Sequence, residues 1–102
     1  MSAPEPLVLA VPPTVRVPAY VVYRAFAAET VVLNLNTGVY HGLNPTAGRM
    51  FKLLDELGDL NAVAVRLSNE YRRPRAEMAE DLETLCRSLL DRELIEAHPS
   101  VG

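Results

Sequence analysis

The spacing of apolar positions changes period part-way along this chain. Residues 20–26, Tyr-Val-Val-Tyr-Arg-Ala-Phe, are β-branched and aromatic, which predicts a strand. A loop through Ala27–Glu29 leads to a second strand, Thr30–Leu35, and a third, Val39–Leu43. Between these two, Asn36-Thr37-Gly38 reads as a three-residue hairpin loop whose glycine sits in the left-handed region and closes a type I turn with a bulge. With Leu35 opposite Val39, the residues Val31, Leu33, Leu35, Val39, His41 and Leu43 share a face, and Asn34 and Tyr40 lie on the other. The first set is expected to be the buried one; a one-residue slip would exchange the two.

From residue 44 the period is helical. Asn44-Pro45 is a start signal: the asparagine accepts from an orphan amide, and proline suits the first helical position because its missing N–H would be unused. Ala47, Met50, Phe51, Leu54 and Leu57 recur at helical spacing, and Gly58 is a stop. Asn61 is expected to cap a second helix, with Val63, Ala64, Leu67 and Tyr71 on its inner face. Arg72-Arg73-Pro74-Arg75 breaks the pattern. A third and longest helix runs from about Pro74 to Arg92, with Met78, Leu82, Leu85 and Leu89 as its apolar stripe. Glu77, Glu80, Asp81 and Glu83 fall in its first half, where the helix dipole favours negative charge. The pattern predicts an α+β fold in the order β-β-β-α-α-α: a winged-helix-like domain, with a three-stranded antiparallel sheet followed by a three-helix bundle. Four prolines within residues 4–13 make residues 1–14 an extended, flexible arm in this reading, with the domain at 15–97 and a loose tail at 98–102.

Composition narrows the function classes. The chain has 102 residues and a formal charge of −3, which suits one small domain and gives no electrostatic footprint for nucleic acid. One cysteine rules out an internal disulfide. The N-terminal residues lack the basic start and apolar length of a signal peptide, and no run approaches the ~20 apolar residues of a membrane span. A soluble, cytoplasmic protein is therefore expected. His41, His98 and Cys86 offer no local pair at metal-ligand spacing, and Cys86 lies mid-helix beside Leu85 and Leu89, where it suits a small buried hydrophobe. No glycine-rich phosphate loop, nucleophile elbow or dinucleotide fingerprint is present. No catalytic residue, metal or cofactor is expected.

The third strand is the informative element. Val39–Leu43 carries no formal charge apart from any on His41, yet a free strand edge is normally blunted by lysine, proline or a covering element. Three readings fit. The first strand or the N-terminal arm covers the edge, a second copy pairs there to give a homodimer, or an extended peptide adds as a further strand. A winged-helix DNA-binding regulator is a rival from another class. Residues 75–93, however, hold three arginines against six acids, where a recognition helix needs cations.

The stretch Val31–Ile95 resembles the PqqD-like family, the recognition elements of ribosomally made, post-translationally modified peptides. The residues that carry the resemblance are an apolar strand, "NTG", "VYHGLNPTAGRMFKLLDELGDLNAVAVRLSNEY", and a long terminal helix ending "LLDRELIE". Within the family the chain is most similar to small standalone members of lasso-peptide pathways. The resemblance implies a noncatalytic peptide chaperone. It would bind the leader of a precursor peptide as an added strand and hand it to a modifying enzyme or leader peptidase. It implies that Val39, Tyr40, His41, Gly42 and Leu43 supply the strand, and that Met78, Asp81, Leu82 and Leu85 form the facing helix wall. Two positions depart from the family's pattern: His41, where an aromatic residue is common, and Glu93, where glycine is common.

Overall fold

A computed structural model describes residues 11–98. Its elements are β1 (Val15–Arg16), β2 (Val21–Ala25), β3 (Thr30–Asn34), β4 (Val39–Leu43), α1 (Pro45–Leu57), α2 (Leu60–Tyr71), α3 (Arg75–Asp91) and β5 (Glu96–Ala97). The three-stranded antiparallel sheet has the order β2-β3-β4, and the helices follow it as the sequence predicts. The short β1 and β5, which the strand pattern did not signal, pair antiparallel through Val15 with Ala97 and Arg16 with Glu96. Most of the expected arm, residues 1–10, lies outside the described residues. Val11 is buried, and Pro13 and Thr14 accept from the amides of Leu60 and His98 at 3.0 and 2.9 Å.

The helix starts follow local chemistry. Asn44 Oδ1 accepts from the Ala47 amide at 2.8 Å with Pro45 at the first position of α1. The cap of α2 differs from expectation. Asp59 Oδ1 takes the amides of Asn61 and Ala62 at 2.8 and 3.2 Å, and Asn61 lies inside the helix. Tyr71, expected on the inner face of α2, and Leu57, at the end of the α1 stripe, are both exposed. Phe51, Leu53, Leu54, Leu67, Leu82, Cys86 and Leu89 fill the core between sheet and helices. Gly48 lets α1 approach the sheet closely: a Cβ there would lie 2.2 Å from Thr30 Oγ1. Tyr23 of β2 meets the Phe51 ring edge-on at 4.9 Å, and its hydroxyl donates to Asp55 at 2.7 Å.

The register of the β3–β4 hairpin corrects the expectation. The loop has four residues, Leu35–Gly38, and Asn34 rather than Leu35 stands opposite Val39. The inner face of β3 is therefore Thr30, Val32 and Asn34, each buried, whereas Val31 and Leu33 are half-buried on the outer face and Leu35 is 57% exposed. Asn34 is the cause. Its Oδ1 accepts the amides of Asn36 and Thr37 at 2.9 and 3.2 Å, and its carbonyl accepts that of Gly38 at 2.8 Å. Gly38 takes a φ of 73°, which glycine adopts without strain. The side chain assigned to the outer face thus organises the turn from inside. On β4 the expected inner set holds in part: Leu43 is buried and His41 half-buried, but Val39, at the hairpin end, is exposed.

Candidate functional site

Among the described residues, β4 has a strand on one side only. The direction of its backbone groups follows from two bonds across the sheet. Leu35 donates to the Tyr20 carbonyl at 2.8 Å, and Phe26 donates to that of Glu29 at 2.7 Å. Residues 29, 31, 33 and 35 thus turn their backbone groups toward β2. By alternation, Thr30, Val32 and Asn34 turn theirs toward β4. Their partners Leu43, His41 and Val39 close the inner ladder. The N–H and C=O groups of Tyr40 and Gly42 accordingly point away from the sheet, on a strand that itself contains no Lys, Arg, Asp, Glu or Pro.

Side chains alternate with these backbone groups. Tyr40, 68% exposed, and Gly42 face outward from the bundle, and His41 and Leu43 face inward. Val22, Phe26, Val31, Leu33 and Tyr40 line a shallow apolar groove on the sheet's outer face, with Arg24 beside it. The sequence pattern does not predict this face, because it places Val31, Leu33 and Leu35 in the core. The only sequence signal for it was that both faces of β3 carry apolar residues.

On α3, Met78 and Leu82 are buried in the core, Leu85 is half-buried and Asp81 is exposed. Of the expected wall, only Asp81 and Leu85 present accessible side-chain surface beyond the core. The two ends of the region are tied together: Asn34 Nδ2 donates to the carbonyls of Arg92 and Glu93 at 3.4 and 3.2 Å. Cys86 is fully buried in the core, and burial pushes its thiol up to about 12, with Glu83 nearby adding to the shift. A thiol so raised is not a nucleophile at neutral pH. No group of three or more His, Cys, Asp or Glu among the described residues could hold a metal ion. Nor is any helix there long and apolar enough to cross a membrane. Within the basic knot, Arg73 is paired with Glu77 at 2.9 Å.

The family model described as coenzyme PQQ synthesis protein D (PqqD) matches residues 29–95, well over half of the chain. This chain belongs to the PqqD family. Two solved structures are similar to this chain in fold. One, "TbiB1 in Complex with the TbiA(beta) Leader Peptide", is 29% identical with a TM-score of 0.75, over 83% of this chain and 99% of that one. The other, "Lasso peptide synthetase B1 complexed with the leader peptide", is 24% identical with a TM-score of 0.72, over 81% of this chain and 98% of that one, and is similar in fold. No curated protein sequence matches.

Proposed function

We propose that this PqqD-family protein is a noncatalytic peptide chaperone. It binds the leader of a ribosomally made precursor along β4 as an added antiparallel strand and delivers it to a modifying enzyme or leader peptidase. The observation that carries this reading is the open edge of β4, where Tyr40 and Gly42 offer backbone groups that no strand among the described residues pairs. Main-chain bonds there supply affinity whatever the peptide sequence, and alternate side chains supply preference. Peptide residues opposite Val39 and His41 turn toward the helices, where Leu85 and Asp81 are the accessible wall. Leu43, Met78 and Leu82 shape the floor from within the core. Two proteins of similar fold, TbiB1 and a lasso peptide synthetase B1, form complexes with leader peptides, which supports the same reading.

Amide exchange tests it. In the free protein the Tyr40 and Gly42 amides should exchange quickly, and those of His41 and Leu43 slowly. Addition of a binding leader peptide, starting with TbiA(beta), should protect Tyr40 and Gly42 selectively. Protection confined to other elements would overturn the strand-addition reading. Protection that rises with protein concentration alone would show self-pairing instead.

A further inference from the structure

We propose that Glu29 and Gly42 together form a subsite for a basic side chain of the bound peptide. The proposal rests on strand addition along β4 and adds a charge preference at one position. Gly42 faces the outer side of the sheet, opposite Val31 in the register. Having no side chain, it leaves a notch in the β4 edge, and the Glu29 carboxylate lies over that notch: a Cβ on Gly42 would be 3.0 Å from Glu29 Oε2. Space that any other residue at position 42 would fill is thus held by a negative charge.

The peptide residue directly opposite Gly42 sends its side chain to this same face. In an antiparallel ladder with Gly42's amide and carbonyl engaged, the two Cα atoms stand ~5.5 Å apart. A lysine or arginine stem from that residue crosses the bare glycine and brings its cation to the carboxylate. The adjoining wall is apolar, with Val31 beside Gly42 and Phe26 at the start of the turn that carries Glu29. Such a surface accepts the methylene stem while the charged head stays at the rim.

The carboxylate is available. Among the described residues Glu29 forms no ion pair or side-chain hydrogen bond. Arg24 also faces outward, but its place in the register is on β2, beyond Val31 and away from the edge. An acidic peptide residue opposite Gly42 would meet Glu29 with no intervening side chain, so the site both selects a cation and rejects an anion.

Peptide display on the immobilised full-length protein tests this. A library of randomised linear peptides is selected against wild type, Glu29→Gln and Glu29→Lys, and each pool is rechallenged with Tyr40→Pro, which blocks the edge without touching Glu29. Glu29 lies in an exposed turn, and thermal melts verify that its variants keep the fold. The wild-type pool should carry Lys or Arg at one fixed position of the strand-forming segment. Glu29→Lys should favour Asp or Glu there, and Glu29→Gln neither. Exchanging that basic residue for Glu in a selected peptide should weaken binding to wild type about three- to tenfold, and binding to Glu29→Gln little. Pools that fail to bind Tyr40→Pro yet show the same residues with all three Glu29 proteins would overturn the subsite and leave strand addition standing. Pools that bind a folded Tyr40→Pro undiminished would overturn strand addition, and the subsite with it, as would a selection that yields no binder.

Discussion

Asn34 Nδ2 donates to the main-chain carbonyl of Glu93 at 3.2 Å, which joins the turn between β3 and β4 to the end of α3. Asn34 is only 1% exposed, and its side-chain oxygen meanwhile holds the amides of Asn36 and Thr37. One buried amide therefore sets the hairpin turn and anchors it to the chain at the C-terminal end of α3.

Asn34→Ala should cost about 1–3 kcal/mol, because it leaves buried polar groups without partners. Urea unfolding should show a lower midpoint at unchanged slope. Binding of a leader peptide should weaken as well, since β4 loses its tether to α3. An unchanged midpoint would show that water replaces the side chain without loss.

Gly42→Pro and His41→Pro should separate cleanly. Gly42 directs its amide to the open edge, so proline there removes a donor that only an added strand would use. His41 bonds inward, in register with Val32, so proline there breaks the ladder to β3. Gly42→Pro should keep its circular dichroism and lose peptide binding; His41→Pro should melt at a lower temperature. Calorimetry that finds full affinity in a folded Gly42→Pro would remove β4 as the site.

Asp81→Arg probes the helix side of the groove. Asp81 is exposed, so reversing its charge should leave the fold intact. A leader lying against this part of α3 should change affinity about tenfold, or ~1.4 kcal/mol, with the sign set by the leader's own charge. Equal titration curves at equal salt would move the contact elsewhere along α3.

Glu93 ends α3 with a φ of 57°, a left-handed value that glycine takes more readily. The bonds around it are those of a Schellman turn: Glu93 N–H to the Leu90 carbonyl at 3.0 Å and Leu94 N–H to that of Leu89 at 2.9 Å. Relief of ~1–2 kcal/mol of strain, offset by ~0.5–1 kcal/mol of extra chain entropy in the unfolded state, predicts that Glu93→Gly stabilises modestly. A lower melting temperature would contradict this.

Stability should fall in alkali. Burial raises the Cys86 thiol to about 12 in the fold, against ~8.5 in an unfolded chain. The folded state binds this proton more tightly, so the contribution is complete below ~8.5 and is lost as pH rises toward 12. Tyr23 acts in the same direction: burial, and then its bond to Asp55, raise its phenol. Urea melts between pH 8 and 11 should show a shallower decline for Cys86→Ala than for wild type. Parallel curves would mean that the thiol does not titrate with folding.

The sequence by itself determined the elements whose cause is local. Asn44-Pro45 caps α1 with its own side chain and ring, Gly58 stops it, and the period of Met78, Leu82 and Leu89 marks the buried face of α3. The succession of three strands and the lack of formal charge within Val39–Leu43 were legible too, because alternation and composition are properties of the segment alone; which strand, if any, covers that edge was not. The register of β3 was not. Its two faces are both apolar enough to be core, and the choice rests on Asn34, a polar residue whose buried oxygen is satisfied by the turn itself but whose Nδ2 finds partners only in the Arg92 and Glu93 carbonyls at the end of α3. The same distance in sequence hid the pairing of β1 with β5, two strands of two residues each that neither segment could hold alone. It also hid Glu29 over Gly42, since only the closed sheet brings the turn after β2 to the edge of β4. Local chemistry decides what a segment becomes; which side of it meets the core, and which backbone groups stay open, depends on partners that folding alone brings together.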